Sequence, residues 1–122
     1  MGEVLSDNLG DRYYAIGTDY FYSVCNLPYG GKRVNHKFCS ADRFAYQAKY
    51  MDEEAYLLNF KSASQNEELA ALLNDYNYAG DLGESYSPLM RLLPVSTRQR
   101  VIFTDLYDSM IFEFKVTPIT VQ

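Results

Sequence analysis

The chain has 122 residues, 48% of them hydrophobic, and a formal net charge of −5. That length fits one domain able to bury a core, and that hydrophobic share excludes a disordered chain. Eleven basic residues against sixteen acidic ones, with no basic run interleaved with aromatics, argue against a nucleic-acid partner.

Met1, Val4, Leu5, Asn8 and Leu9 recur at i, i+3 and i+4, which is one face of a helix. Gly10 is a residue suited to ending it. Tyr13–Ile16 is a short apolar run of β-formers closed by Gly17, and such a run suits a strand covered on both faces. Gly17, Thr18, Asp19 and Tyr20 follow that strand's end, where α/β proteins place ligand-contacting loops, so they are the candidate pocket-wall residues. A turn that needs glycine is the simpler reading of Gly17. Residues 19–25 and 33–39 then pair as a β-hairpin near 19–39, over a loop at Asn26–Gly31 longer than the tight two-residue type.

Ser40 caps a helix over 42–50, with Phe44, Ala48 and Met51 on its apolar face. Residues 54–60 form a short buried-type strand. Ser64-Gln65-Asn66-Glu67 is a capping box, and Leu69, Leu72 and Leu73 continue a helix to about Tyr76. Ala79–Pro88 is a loop of turn formers, and Leu89–Leu93 is apolar without an assignable period. Ser96–Gln99 reads as another capping box, while Arg100–Phe103 reads equally as a strand. Residues 109–115 form the final strand, with Pro118 blocking its continuation. Short β-rich runs thus alternate with capped helical patterns. The pattern predicts a single α/β domain over 1–122, with a small mixed, partly parallel sheet flanked by helices.

The chemistry is sparse. His36 is the only histidine, no neighbour in sequence orients it as a base, and a packing or surface role is the simpler reading. One histidine and two cysteines make a poor metal set, so no metal or other cofactor is expected and no catalytic residue is assigned. Cys25 and Cys39 match no metal or redox spacing, and no secretory signal precedes them. Free thiols and a cytoplasmic location are the expectation. No apolar run approaches the roughly 18 residues of a membrane span, so no membrane partner is expected. The carboxylates at Asp52–Glu54, Glu67-Glu68, Asp105 and Asp108 read as solvated turns and caps.

The opening helix followed by Leu-Gly-Asp-Arg-Tyr-Tyr-Ala-Ile-Gly-Thr-Asp-Tyr-Phe at Leu9–Phe21 resembles the erythromycin esterase family, which includes proteins called succinoglycan biosynthesis proteins. The likeness continues through Tyr56–Phe60, Leu82–Tyr86 and Leu106–Phe112. It covers nearly the whole chain, but only the C-terminal third of such a protein. The resemblance implies an α/β fold and, in the complete protein, hydrolysis of a macrolide lactone by water that a histidine activates. The family's catalytic histidines lie upstream of the matched region, so no residue here inherits a catalytic role, and Tyr13–Phe21 at most shapes a pocket wall. Two expectations follow. The chain is a C-terminal part of an erythromycin esterase-like hydrolase, inactive alone, which self-associates or joins the missing N-terminal part. Alternatively it is a free-standing partner- or ligand-binding module.

Overall fold

Ser109–Val116 forms β6, the strand around which the fold is built. Met110 and Phe112 point inward from it and are buried. The computed structural model describes residues 2–81, 87–93 and 97–118. Four strands make the main sheet, in the order β2 (Lys32–Cys39), β1 (Ile16–Tyr29), β6 and β3 (Ala55–Asn59). β1 runs parallel to β6, while β2 is antiparallel to β1 and β3 antiparallel to β6. A second sheet is the antiparallel pair β4 (Asn77–Gly80) and β5 (Arg98–Val101). The expected class, a mixed and partly parallel sheet flanked by helices, is the one observed.

The core lies between one face of the main sheet and the helices that follow β2. Phe112 is at its centre, with ring centroids of Tyr56, Phe44 and Phe103 at 5.4, 5.5 and 5.8 Å. Phe60, Ala63, Leu73 and Met110 close the cluster. Such offset and tilted aromatic pairs add to the burial of their area. On the other face, cross-strand partners Leu57, Ile111 and Thr18 form a row, with Ile16 beside them. There Leu57 is 61% and Ile16 54% exposed.

The expected strand at 13–16 and the turn at Gly17 are not seen. Gly10–Arg12 is a 3-10 turn, and β1 starts only at Ile16 and continues without a break through Gly17. Glycine is needed there for space, since a Cβ would lie 2.9 Å from the Tyr107 ring. The hairpin is longer and tighter than expected. Pairing runs from Tyr22–Cys39 to Tyr29–Lys32, closed by Gly30-Gly31 alone. Both glycines have positive φ, 58° and 77°, as the two-residue type I′ turn requires.

The opening helix α1 (Gly2–Leu9) forms as expected, but its apolar stripe is not buried. Val4 is 63% exposed, and Leu5 and Leu9 are also exposed. Helix α2 (Arg43–Gln47) is capped by Asp42 rather than Ser40, and passes into a 3-10 turn at Ala48–Tyr50. The strand β3 is followed directly by a short helix α3 (Phe60–Ala63). Helix α4 (Glu67–Leu73) is capped by Asn66, whose side chain accepts from the Glu68 and Leu69 amides, in place of the expected Ser64 box. It ends three residues before Tyr76, because Asn77 is already paired in β4. Helix α5 (Pro88–Leu92) fills the stretch without a period. Of the two readings after it, the strand holds, although β5 starts at Arg98. Leu82–Tyr86 and Ser96 lie outside the described residues.

Candidate functional site

Two aspartates 23 positions apart meet in the interior. Asp19 is on β1 and 4% exposed; Asp42 precedes α2 and is 1% exposed. The chain reaches Asp42 through a tight turn after β2. The Ser40 hydroxyl accepts from the Asp42 amide, and Ala41 between them takes φ 60°, a left-handed conformation unfavourable for alanine. That turn swings the Asp42 side chain inward, where Oδ1 accepts from the Ala45 amide at 2.8 Å. Asp19 Oδ1 accepts from its neighbour Tyr20 at 2.7 Å and from the Gly80 amide of β4 at 3.1 Å. The second oxygen of each carboxyl, Oδ2, is buried without a hydrogen-bond partner among the described residues.

Loss of hydration makes ionisation costly for both groups. Burial pushes Asp19 up to about 6, against the opposing amide bonds from Gly80 and Tyr20. Burial likewise pushes Asp42 up to about 7; the Ala45 amide opposes this, and the negative charge of Asp19 adds to it. Tyr56, whose hydroxyl donates to the Phe44 carbonyl, is also driven upward by burial and then by Asp42. A carboxyl whose bare oxygen lacks donors favours the protonated form. Both carboxyls, closed off from solvent, therefore hold their protons to higher pH than free aspartates do.

The hairpin β4–β5 is held over this pair. Gly80 is what lets it approach: a Cβ there would lie 2.9 Å from the Tyr20 ring and hydroxyl and 3.2 Å from Asp19 Oδ1. Arg98 adds a second tie, donating twice to the Cys39 carbonyl at 2.9 and 3.2 Å. Where β4 meets β1, an open groove of about 650 Å³ is lined by Thr18, Tyr20, Ser23, Cys25, Gly80 and Asp81 among others. Ser23 Oγ and Cys25 Sγ are 2.9 Å apart within it. Burial foremost, then Cys25, Asp19 and Asp81, raise the Tyr20 phenol above its ordinary value, so it remains a neutral hydroxyl.

Of the four residues singled out in the sequence, Thr18 and Tyr20 line the groove. Asp19 lies beneath it, on the interior face, and Gly17 lies under Tyr107. Asp42 was missed. Its only sequence signal is a possible helix cap, and nothing local says that the cap faces another acid. His36 sits opposite Cys25 on the hairpin, half-buried, with the Tyr29 ring 6.1 Å and the Phe38 ring 6.5 Å away. Among the described residues, no three metal-ligating side chains converge. The groove thus offers hydroxyls, a thiol and a carboxylate, all suited to holding a polar ligand in place.

A mixed α/β fold with helices packed on one sheet face is the class this geometry defines. No family model and no curated protein matches the chain. Two solved structures share its fold. A protein from Bacillus cereus has TM-score 0.74 at 18% identity, covering 99% of this chain and 29% of its own. A structure described as a succinoglycan biosynthesis protein has TM-score 0.70 at 16% identity, covering 96% and 27%. The chain therefore spans less than a third of the length of either. No described helix is long and apolar enough to cross a membrane.

Proposed function

We propose that the chain serves as the C-terminal subdomain of an erythromycin esterase-like hydrolase, a scaffold that shapes one wall of the active site while the catalytic groups lie elsewhere in the larger protein. The observation that carries this reading is the coverage: nearly the whole chain overlays less than a third of a much longer α/β protein. The ordered motifs from Leu9 to Phe112 support it. In this reading Thr18 and Tyr20 form the wall, with Gly17 and Asp19 holding them from behind. The subdomain works in the cytoplasm, and the isolated chain self-associates through faces that the remainder would cover.

Attack of water on an ester needs a positioned base and a group that stabilises the oxyanion, and the base alone is worth roughly 10²–10⁴-fold in rate. The only histidine lies among aromatic rings of the hairpin. Purified chain incubated with erythromycin and with a chromogenic ester is expected to show background turnover only. Turnover that disappears in a His36→Ala variant overturns the proposal and makes the chain an enzyme by itself. A free-standing binding module is the second reading, favoured by a core that closes within the chain around Phe103, Leu73 and Phe112. The reading frame upstream separates the two: a segment encoding His-Asn-x-His belongs to the first.

A further inference from the structure

Helices pack on one face of the main sheet, where Phe112, Met110, Phe44 and Leu73 meet. The opposite face carries Ile16 and Thr18 of β1, Ile111 of β6 and Leu57 of β3, joined by the strand register. Ile16 and Leu57, the ends of this patch, are more than half exposed. β1 and β6 are parallel, and parallel strands occur almost only in sheets covered on both faces. A parallel pair with Ile16 open to water, flanked by the exposed Leu57 of β3, is half of a three-layer arrangement.

The two edges of the sheet tell the same story. β2, at one edge, presents Lys32, Arg33 and Lys37, and charged residues of this kind block further pairing. β3, at the other, reads Ala-Tyr-Leu-Leu-Asn without a charge or a proline. Nothing on it is arranged to keep another element away.

We propose that this open face, from Ile16 across Ile111 to Leu57, docks a layer of helices supplied by the remainder of a longer polypeptide. The inference rests on the subdomain reading above, and it adds which surface makes the join. The choice of occupant comes from length: both structures that share the fold continue for more than twice the span of this chain beyond it. It also comes from the parallel pair, since the crossover that joins β1 to β6 lies within this chain and its helices cover the other face, so covering both faces needs helices from elsewhere.

The test is side-chain footprinting by hydroxyl radicals, with oxidation at Ile16 and Leu57 quantified by mass spectrometry. The chain alone is compared with the complete product of its reading frame. The expected result is ready oxidation of both residues in the chain alone at high dilution and loss of oxidation at both in the longer polypeptide, while Tyr29 at the hairpin tip reacts in each. A longer polypeptide in which Ile16 and Leu57 react as fast as in the chain alone overturns the docking face and leaves the subdomain reading standing. A reading frame that encodes this chain alone overturns both. Protection in the longer polypeptide that is lost on dilution assigns the face to a second copy and overturns the proposed occupant.

Discussion

Replacing Asp42 with asparagine is expected to stabilise the protein, and to do so by more at pH 8 than at pH 5. In the folded state burial pushes Asp42 up to about 7 and Asp19 up to about 6, both above the 3.8 of a free aspartate. The folded chain therefore holds protons that the unfolded chain has lost. The stabilising contribution is fully present below pH 3.8 and is lost as the pH rises through about 6 and about 7. Between pH 5 and 8 the Asp42 group alone removes roughly 3 kcal/mol, a large share of an ordinary domain's 5–15 kcal/mol. The groups facing the pair act in different directions. Arg43 favours the charged form of Asp42, Asp19 opposes it, and the neutral phenols of Tyr20 and Tyr56 complete the surroundings. Asparagine keeps an Oδ1 acceptor for the Ala45 amide and caps helices as well as aspartate does. It removes the charge alone. Urea denaturation at the two pH values is the assay. The wild-type midpoint should fall by roughly 1–2 M from pH 5 to pH 8, and the variant's should fall by much less. A wild-type midpoint that rises over this interval, or a variant less stable than wild type at pH 8, refutes the reasoning.

Gly17→Ala places a methyl 2.9 Å from the Tyr107 ring and should cost about 1–3 kcal/mol by overpacking; thermal unfolding of the variant, and of Gly17→Ala with Tyr107→Leu, checks whether the shortened neighbour restores stability. Cys25 lies opposite His36 and Cys39 opposite Tyr22, so the thiols are three positions apart along the ribbon, about 10 Å, on opposite faces. A disulfide needs Cα atoms closer than about 7 Å, so titration of unfolded, non-reduced protein should find two free thiols.

The fold class was legible because strand runs such as SMIFEFK carry their own signal, and because both β-rich and capped helical stretches are short and well separated. What failed were signals that depend on partners. Gly17 looks like a turn from its neighbours, yet it is dictated by a ring 90 positions away. Asn26-Leu27-Pro28 has turn composition but is drawn into the strand ladder, where Leu27 faces Val34 and Pro28 faces Arg33. The stripe Val4, Leu5, Leu9 has helical period, and period reports an apolar face without reporting what lies against it. β4 and β5 pair across a 17-residue connection, far beyond any local hairpin signal. At the site, Thr18 and Tyr20 were reachable from the strand-end argument, although the strand does not end there. The Asp19–Asp42 pair was not reachable, since each residue alone is an ordinary strand or cap aspartate.

The position of β6 has a consequence for how the protein comes into being. It is the last of the described strands in sequence, yet it lies between β1 and β3. The register sets Ile16 against Ser109, a closure over more than 90 residues, whereas the β1–β2 hairpin needs only its two-glycine turn. On the ribosome the hairpin can form early, but until residue 116 has emerged β1 waits with one unsatisfied edge and β3 without its sheet partner. Long-range closures of this kind are slow, and waiting edges invite pairing with other chains. The nascent chain is therefore most exposed to aggregation in the interval just before β6 inserts, and folding yield should depend more on chaperone supply than the stability of the finished fold would indicate.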